Sequence, residues 1–440
     1  MRRRFNCICL LLLAVLLLTG CMKTVDQLYR LPKRSDEFTE LQIAIDEVMT
    51  DLNYCAPYSG ENRQAVQMAD LDGDGRNEYL VYASNDSQSL LSVMVFKQST
   101  DGCVLACQLQ CNGATFDMVE YAQLDDQPGM ELILGTQLAE TLQRKAEVYT
   151  FSEMLEVDLL MSVRYGEFLV LDLDQDNISE IFLLKPAAKE TEPGVVELYR
   201  LQSGSLICSN TASLSAPIEN LEQVISGSIH GGKPAIFAAS TVNDTSIITD
   251  VYILKGDKLH NVTLSSEAET NSHTLRSHYV YAQDIDSDGI VELPYLLPMM
   301  PMDNMVSGGK QELIRWYTVK SNGDEVSKTY TFHNFLDGWY LQLDDAWAHR
   351  LTVVAVPDAY AFYIWDDDFK SAQKVLTIFE SVGTNRIASQ PDGTEILLYD
   401  SLSLGLLAQL ETDAANYGID EAALSGSFRL ILQDLKNGER

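Results

Sequence analysis

Asp70-Leu71-Asp72-Gly73-Asp74-Gly75-Arg76-Asn77-Glu78, followed by Tyr79-Leu80-Val81-Tyr82, is the stretch whose recurrence decides the fold. It returns as Asp172-Leu173-Asp174-Gln175-Asp176-Asn177-Ile178-Ser179-Glu180 before Ile181-Phe182-Leu183-Leu184, and again as Asp284-Ile285-Asp286-Ser287-Asp288-Gly289-Ile290-Val291-Glu292. Two weaker copies fill the gaps. Gln123-Leu124-Asp125-Asp126-Gln127-Pro128-Gly129-Met130-Glu131 keeps the frame but loses two carboxylates, and a segment near Gly227 ends in an apolar run with no acid left. Starts at 70, 123, 172, 227 and 284 lie 53, 49, 55 and 57 residues apart. Between them, apolar or alternating runs such as 91–96, 148–151, 195–201 and 247–254 are split by Gly, Asn, Asp and Ser, which is strand-and-turn patterning. A period near fifty with four short strands per unit suits a β-propeller blade. The expected fold is mainly β: a propeller of about five to seven blades, with an N-terminal helix and a small C-terminal α+β region.

Carboxylates at positions 1, 3 and 5 of a tight loop converge on one point, and calcium takes six to eight oxygens in flexible geometry. The candidate ligands are Asp70, Asp72 and Asp74; Asp172, Asp174 and Asp176; and Asp284, Asp286 and Asp288. Position 7 offers the backbone carbonyls of Arg76, Ile178 and Ile290, and Glu78, Glu180 and Glu292 close the shell at position 9. Gly75, Asn177 and Gly289 stand at position 6, where the chain must turn left-handed. An EF-hand would need a bidentate Glu at position 12, where this chain has Val81, Leu183 and Tyr295. Four like charges in one loop repel, and a dication relieves them. Three calcium sites are therefore expected, and none at the 123 and 227 loops.

These loops resemble the FG-GAP or VCBS calcium-loop repeat of integrin α-subunit propellers and many bacterial surface proteins. The resemblance spans residues 63–300 and rests on a D-x-D-x-D-(G/N)-x-x-E core present three times. It implies a propeller whose blades carry structural calcium. The family usually closes the loop with Asp; this chain uses Glu in all three copies.

The start of the chain reads as an export signal. Arg2, Arg3 and Arg4 precede an unbroken apolar run from Ile8 to Leu18, too short to span a bilayer. Leu18-Thr19-Gly20-Cys21 resembles the lipobox of bacterial lipoproteins, which implies a signal peptide over 1–20 and lipidation of Cys21. Residues 21–36 would be the lipidated tether. A helix is expected over 37–54, with Phe38, Leu41, Ile45, Val48 and Leu52 at helical spacing and Asp36 as its cap. The propeller would occupy 60–345, and 346–440 a C-terminal α+β domain or a decayed last blade.

The chain of 440 residues carries 31 Lys+Arg against 64 Asp+Glu, a net charge of −33. Removal of 1–20 takes three arginines and leaves 28 basic residues, or −36. Such a surface excludes nucleic acid and electrostatic docking on anionic lipid, so acyl chains must hold the protein at the extracytoplasmic face of the bacterial cell membrane. Cys55, Cys103, Cys107, Cys111 and Cys208 remain after Cys21. Five is odd, so no complete disulfide framework forms. Cys103, Cys107 and Cys111 share a strand parity that places them on one face as packing residues.

Other signals are weaker. Residues 227–233 fit the first seven positions of a phosphate-binding loop, but Pro234 replaces the Ser or Thr and blocks a helix, so no nucleotide is expected. Met299, Met300, Met302 and Met305 read as an apolar loop. Trp316, Trp339, Trp347 and Trp365 fall within fifty residues, near Asp344, Asp345 and Asp366 to Asp368. They read as junction core, or as a sugar site beside paired carboxylates. The expected function is a calcium-binding scaffold at the envelope for a protein or glycan ligand, without catalysis. The alternative is a polysaccharide-active lyase or hydrolase using those acids.

Overall fold

The computed structural model describes residues 36–431, apart from 86–89, 101, 139–142, 188, 190–191, 243–244, 265–272, 278–279, 301–311, 367 and 384–394. The signal peptide, Cys21, the tether, Met302, Met305 and Asp367 lie outside the described residues. No helix among the described residues is long and apolar enough to cross a membrane.

The chain is mainly β and forms six antiparallel sheets in sequence order. Sheet 1 joins Asn53–Tyr54, Val66–Ala69, Glu78–Asn85, Leu90–Ser99 and Gly102–Asn112. Sheet 2 is Thr115–Ala122, Glu131–Gln137, Arg144–Phe151 and Val157–Tyr165; sheet 3 is Glu167–Leu171, Glu180–Lys185, Val195–Gln202 and Ser205–Ser213. Sheet 4 is Leu221–Ile229, Lys233–Val242, Ser246–Lys255 and Lys258–Asn261. Sheet 5 runs Leu293–Pro298, Glu312–Val319, Glu325–Asn334, Trp339–Leu343 and Phe428–Leu430. Sheet 6 runs Leu351–Val356, Ala359–Ile364, Gln373–Val382, Leu404–Leu410 and Glu395–Asp400.

Successive sheets pack face to face, and strand alternation divides each sheet between two neighbours. In sheet 2, Leu132 and Leu134 join the core shared with sheet 1, while Ile133 joins the core shared with sheet 3. In sheet 3, Ile181 and Leu183 face sheet 2, and Phe182 and Leu184 face sheet 4. Ile236 and Ala238 of sheet 4 face back to sheet 3; Ala235 and Phe237 face Leu293 and Tyr317 of sheet 5. Double burial explains why these strands read as unbroken apolar runs rather than alternating ones. Each fully buried Leu, Ile or Phe contributes roughly 1.5–3 kcal/mol.

The helix is shorter than the sequence suggests. It covers Asp36–Val48 and lays Leu41 and Ile45 on Tyr79, Val81, Met94 and Phe96, the outer face of sheet 1; Phe38 stays about half exposed. It stops because Asn53–Tyr54 pair with Ser84 and Ala83, the part of Glu78–Asn85 that Val66–Ala69 leaves uncovered. In the C-terminal region a helix covers Glu421–Ser427. Phe428–Leu430 then adds a strand to Trp339–Leu343, with Phe428 against the buried Trp339. One apolar core spans sheets 5 and 6, so the strands after 346 are not set apart from those before.

The cysteine expectation needs correction. None of the five described cysteines is in a disulfide, but a bulge opposite Val95/Phe96 shifts the register of Gly102–Asn112 by one residue. Cys107 and Cys111 therefore face the core shared with sheet 2, whereas Cys103 faces the helix. Parity fails across a bulge.

His333 of sheet 5 stacks on Tyr340 at 4.8 Å between Trp316 and Phe335, and neither ring nitrogen has a hydrogen-bond partner. Burial lowers its pKa to about 3. The unfolded chain takes up this proton near 6.5 and the folded chain only near 3, so acid favours unfolding through that window. His333→Phe should therefore gain in melting temperature relative to wild type as pH falls from 6.5 towards 3. A wild-type–variant gap that stays constant with pH in thermal scans would disprove this.

Candidate metal centres

Each acidic loop leads into a strand: Glu78–Asn85 after Val66–Ala69, Glu180–Lys185 after Glu167–Leu171, and Leu293–Pro298, which opens sheet 5. The backbone pairs Ala69 with Glu78, Leu171 with Glu180 and Gln283 with Glu292, so position 9 sits beside the residue that precedes position 1. The position 2 side chains Leu71, Leu173 and Ile285 are buried. Their amides donate to the position 9 glutamates: Leu71 to Glu78 Oε2 at 2.9 Å, Leu173 to Glu180 Oε2 at 2.8 Å and Ile285 to Glu292 Oε2 at 3.1 Å. Leu124 donates to Glu131 Oε2 at 2.9 Å in the weak copy too.

The first aspartate organises the turn. Asp70 accepts the amides of Gly73 and Gly75, Asp172 those of Asp176 and Asn177, and Asp284 those of Asp288 and Gly289, all at 2.8–3.0 Å. Gly75, Asn177 and Gly289 are left-handed as the sequence requires. Position 4 is left-handed as well, with φ +73° at Gly73, +66° at Gln175 and +63° at Ser287. Only Gly73 gave a sequence signal for this, because Gln and Ser are uncommon there.

The carboxylates at positions 1, 3 and 9 converge. Asp70, Asp72 and Glu78, then Asp172, Asp174 and Glu180, then Asp284, Asp286 and Glu292, each bring one oxygen within 4.8 Å of the other two. Position 5 turns elsewhere: Asp74, Asp176 and Asp288 accept the amides of Arg76, Ile178 and Ile290 at position 7. Each loop also meets a basic side chain that the sequence analysis missed. Lys97 bridges Asp72 and Asp74, Arg200 bridges Asp174 and Glu180, and Lys328 contacts Asp288, with Asp286 at 3.7 Å. Two of these were recoverable by aligning the third strands, where Phe96-Lys97 and Tyr199-Arg200 occupy the same place as Tyr149-Thr150.

Burial lifts Glu180 and Glu292 to about 7, and shifts Glu78 and Glu131 in the same direction. The hydrogen bonds to Lys97 and Lys328 instead hold Asp74 and Asp288 below the usual carboxylate range. A nearby positive charge is thus what keeps such a cluster ionised. A dication fits the triads chemically: they are all-oxygen and anionic, and Glu292 Oε1 is buried with no hydrogen-bond partner. The 123–131 loop forms no triad among the described residues. At 227 the loop is gone, since Ile229 pairs with Lys233 across a hairpin whose Gly231 and Gly232 are left-handed. A strand, not a helix, follows it, as Pro234 predicted.

The tryptophans are spread over the last two sheets. Trp316 and Trp339 are fully buried and Trp347 nearly so, and Trp365 packs edge-on against Phe369. Asp344 caps a short helix through the Ala346 amide, Asp368 caps another through Lys370, and Asp366 pairs with Arg350 at 2.9 Å.

No family model matches the chain, and no curated protein matches it. Among solved structures it is similar to the exotype rhamnogalacturonan lyase YesX, at 12% identity over 80% of this chain and 82% of that one, with a TM-score of 0.31. It is similar also to Sqt1 of Saccharomyces cerevisiae, at 10% identity over 78% and 96%, with a TM-score of 0.28. At such scores neither likeness carries an argument about function.

The weak copy isolates the latch from any metal. Glu131→Ala should lower the unfolding free energy by roughly 1–3 kcal/mol, the cost of stranding the buried Leu124 amide, in chelator and in calcium alike. Glu131→Gln keeps an acceptor and should lose less. Urea titrations in which calcium cancels the loss, or in which both variants lose equally, would count against the latch.

Proposed function

We propose that this chain is a lipid-anchored, extracytoplasmic calcium-binding β-propeller that serves as a ligand-binding or protein-interaction scaffold at the bacterial cell envelope. The observation that carries this is the convergence of three carboxylates, three times over, in the loop that leads into a buried strand. Calcium is the dication of choice because the donors are carboxylates, hard oxygens on a loop that offers its backbone as well. The residues that would hold it are Asp70, Asp72 and Glu78, and Asp284, Asp286 and Glu292; in the third triad, Asp172, Asp174 and Glu180, Arg200 already spans two of the carboxylates.

The blade reading is supported by the serial antiparallel sheets and by hydrogen bonds that link consecutive loops. The amide of Met130 donates to the Asp70 carbonyl at 2.9 Å, Ser179 to Gln123 at 2.8 Å and Val291 to Ser228 at 2.9 Å. Position 8 of one loop thus ties to the start of the loop before it, which keeps the acidic loops together at one end of the sheets. The opposite end of the sheets is where recognition would take place. It carries a cleft of about 340 Å³ lined by Arg144, Arg164, Tyr165, Glu167 and Glu219, where strand ends of sheets 2, 3 and 4 meet. A protein or glycan partner would be met there, and the acyl chains on Cys21 would hold the scaffold to the membrane.

Thermal unfolding of residues 22–440 tests the metal. Calcium at a hundredfold excess over its dissociation constant should stabilise each occupied site by about 2.7 kcal/mol relative to chelator. Asp70→Asn and Asp284→Asn should each diminish that shift. Identical melting curves with and without calcium would remove the proposal. The anchor is tested separately: Cys21→Ser should move the protein from the membrane fraction to the soluble one, and its retention at the membrane would exclude the lipid.

A further inference from the structure

The three acidic loops share a sequence pattern but not an electrostatic state. In the 70–78 loop Lys97 contacts positions 3 and 5, Asp72 and Asp74, and forms no ion pair with Glu78. In the 284–292 loop Lys328 also reaches positions 3 and 5, from the strand Glu325–Asn334, and Glu292 Oε1 is left buried without a partner. The strand residue facing that glutamate there is Thr318, whose hydroxyl is buried and unpartnered too. The 172–180 loop is different. Arg200 Nη2 lies 2.6 Å from Asp174 Oδ2 and 2.9 Å from Glu180 Oε1, and its Nε donates to the same Glu180 oxygen at 3.0 Å. The guanidinium therefore binds two of the three carboxylates that converge, positions 3 and 9.

We infer that the 172–180 loop is closed by Arg200 instead of a metal ion, so that its triad is a metal-independent copy of the sites at 70–78 and 284–292. The inference rests on the reading that the acidic loops hold a dication. Two properties of the side chain support it. Guanidinium stays charged at any pH the protein meets and presents a rigid fork that fits paired carboxylates, so a dication must break its charge-assisted bonds to both carboxylates to enter. An ammonium on a flexible stem, as at Lys97 and Lys328, can swing away while remaining beside the outer carboxylate of position 5. Comparison among the sheets points the same way. The residue after the aromatic of the third strand is Lys97, Thr150, Arg200 and Thr318 where a glutamate closes the loop, and Ile253 after Tyr252 in sheet 4, where the loop and its glutamate are missing. That position is matched to the glutamate, and only at 200 does it supply a cation that spans the triad.

Calcium stoichiometry by equilibrium dialysis against labelled calcium tests this on the chain from residue 22 onward. Asp172→Asn should leave the number of ions bound unchanged, whereas Asp284→Asn should lower it by one. Arg200→Met should raise it by one, and Arg200→Gln serves where the methionine variant does not fold, as judged by circular dichroism. Loss of one ion on Asp172→Asn would overturn the inference while leaving the metal reading intact, as would an unchanged count in a folded Arg200 variant. Wild-type protein that binds no calcium would overturn the metal reading and this inference with it.

Discussion

A glutamate oxygen that accepts the amide two places into its own loop fixes a turn in sheets 1, 2 and 3 and the turn that leads into sheet 5. Glu78, Glu131 and Glu180 each open a strand and Glu292 immediately precedes one, with their backbones paired to Ala69, Ala122, Leu171 and Gln283. Backbone pairing on one side and the side-chain bond to Leu71, Leu124, Leu173 or Ile285 on the other close a nine-residue ring. A one-residue slip between the strands would break both at once. It would also exchange the faces of every residue that follows, which is costly where both faces are buried.

Double burial is why register matters so much here. Ile133 and Leu132 are neighbours in sequence, yet they belong to different cores. The same division runs through sheets 3 and 4, so each sheet is both floor and ceiling of an apolar layer. The outer face of sheet 1 is covered by the helix Asp36–Val48 through Leu41 and Ile45. The helix is thus a lid on the first layer, with Ala44 and Val48 packed beside Leu41 and Ile45 and Phe38 left outside.

Much of this was legible in the sequence because the loops are local. Asp, Gly and Glu at fixed offsets specify a turn regardless of what lies around it, and the apolar run after each glutamate marks a strand buried on both sides. What was not legible depends on partners distant in sequence. Cys103 parted from Cys107 because a bulge answers to the neighbouring strand. Phe428–Leu430 left its helix because the edge of Trp339–Leu343 was open to it. Lys97, Arg200 and Lys328 look like ordinary surface charges until strand pairing brings them to the loops.

The weak copy at 123–131 separates two roles that the acidic loops combine. It has lost the aspartates of positions 1 and 5, yet Glu131 keeps its bond to Leu124 and satisfies its other oxygen with the Thr150 hydroxyl at 3.2 Å. The latch therefore stands without a cation, provided that the second oxygen has a donor. At Glu180 that donor is Arg200, and at Glu292 there is none. A buried carboxylate oxygen without a donor costs free energy, and the deficit grows with each aspartate that crowds the same loop. The demand for an external cation thus follows from what the facing strand offers: a hydroxyl suffices for one carboxylate, a guanidinium for two, and the 284–292 triad faces a threonine that does not reach it.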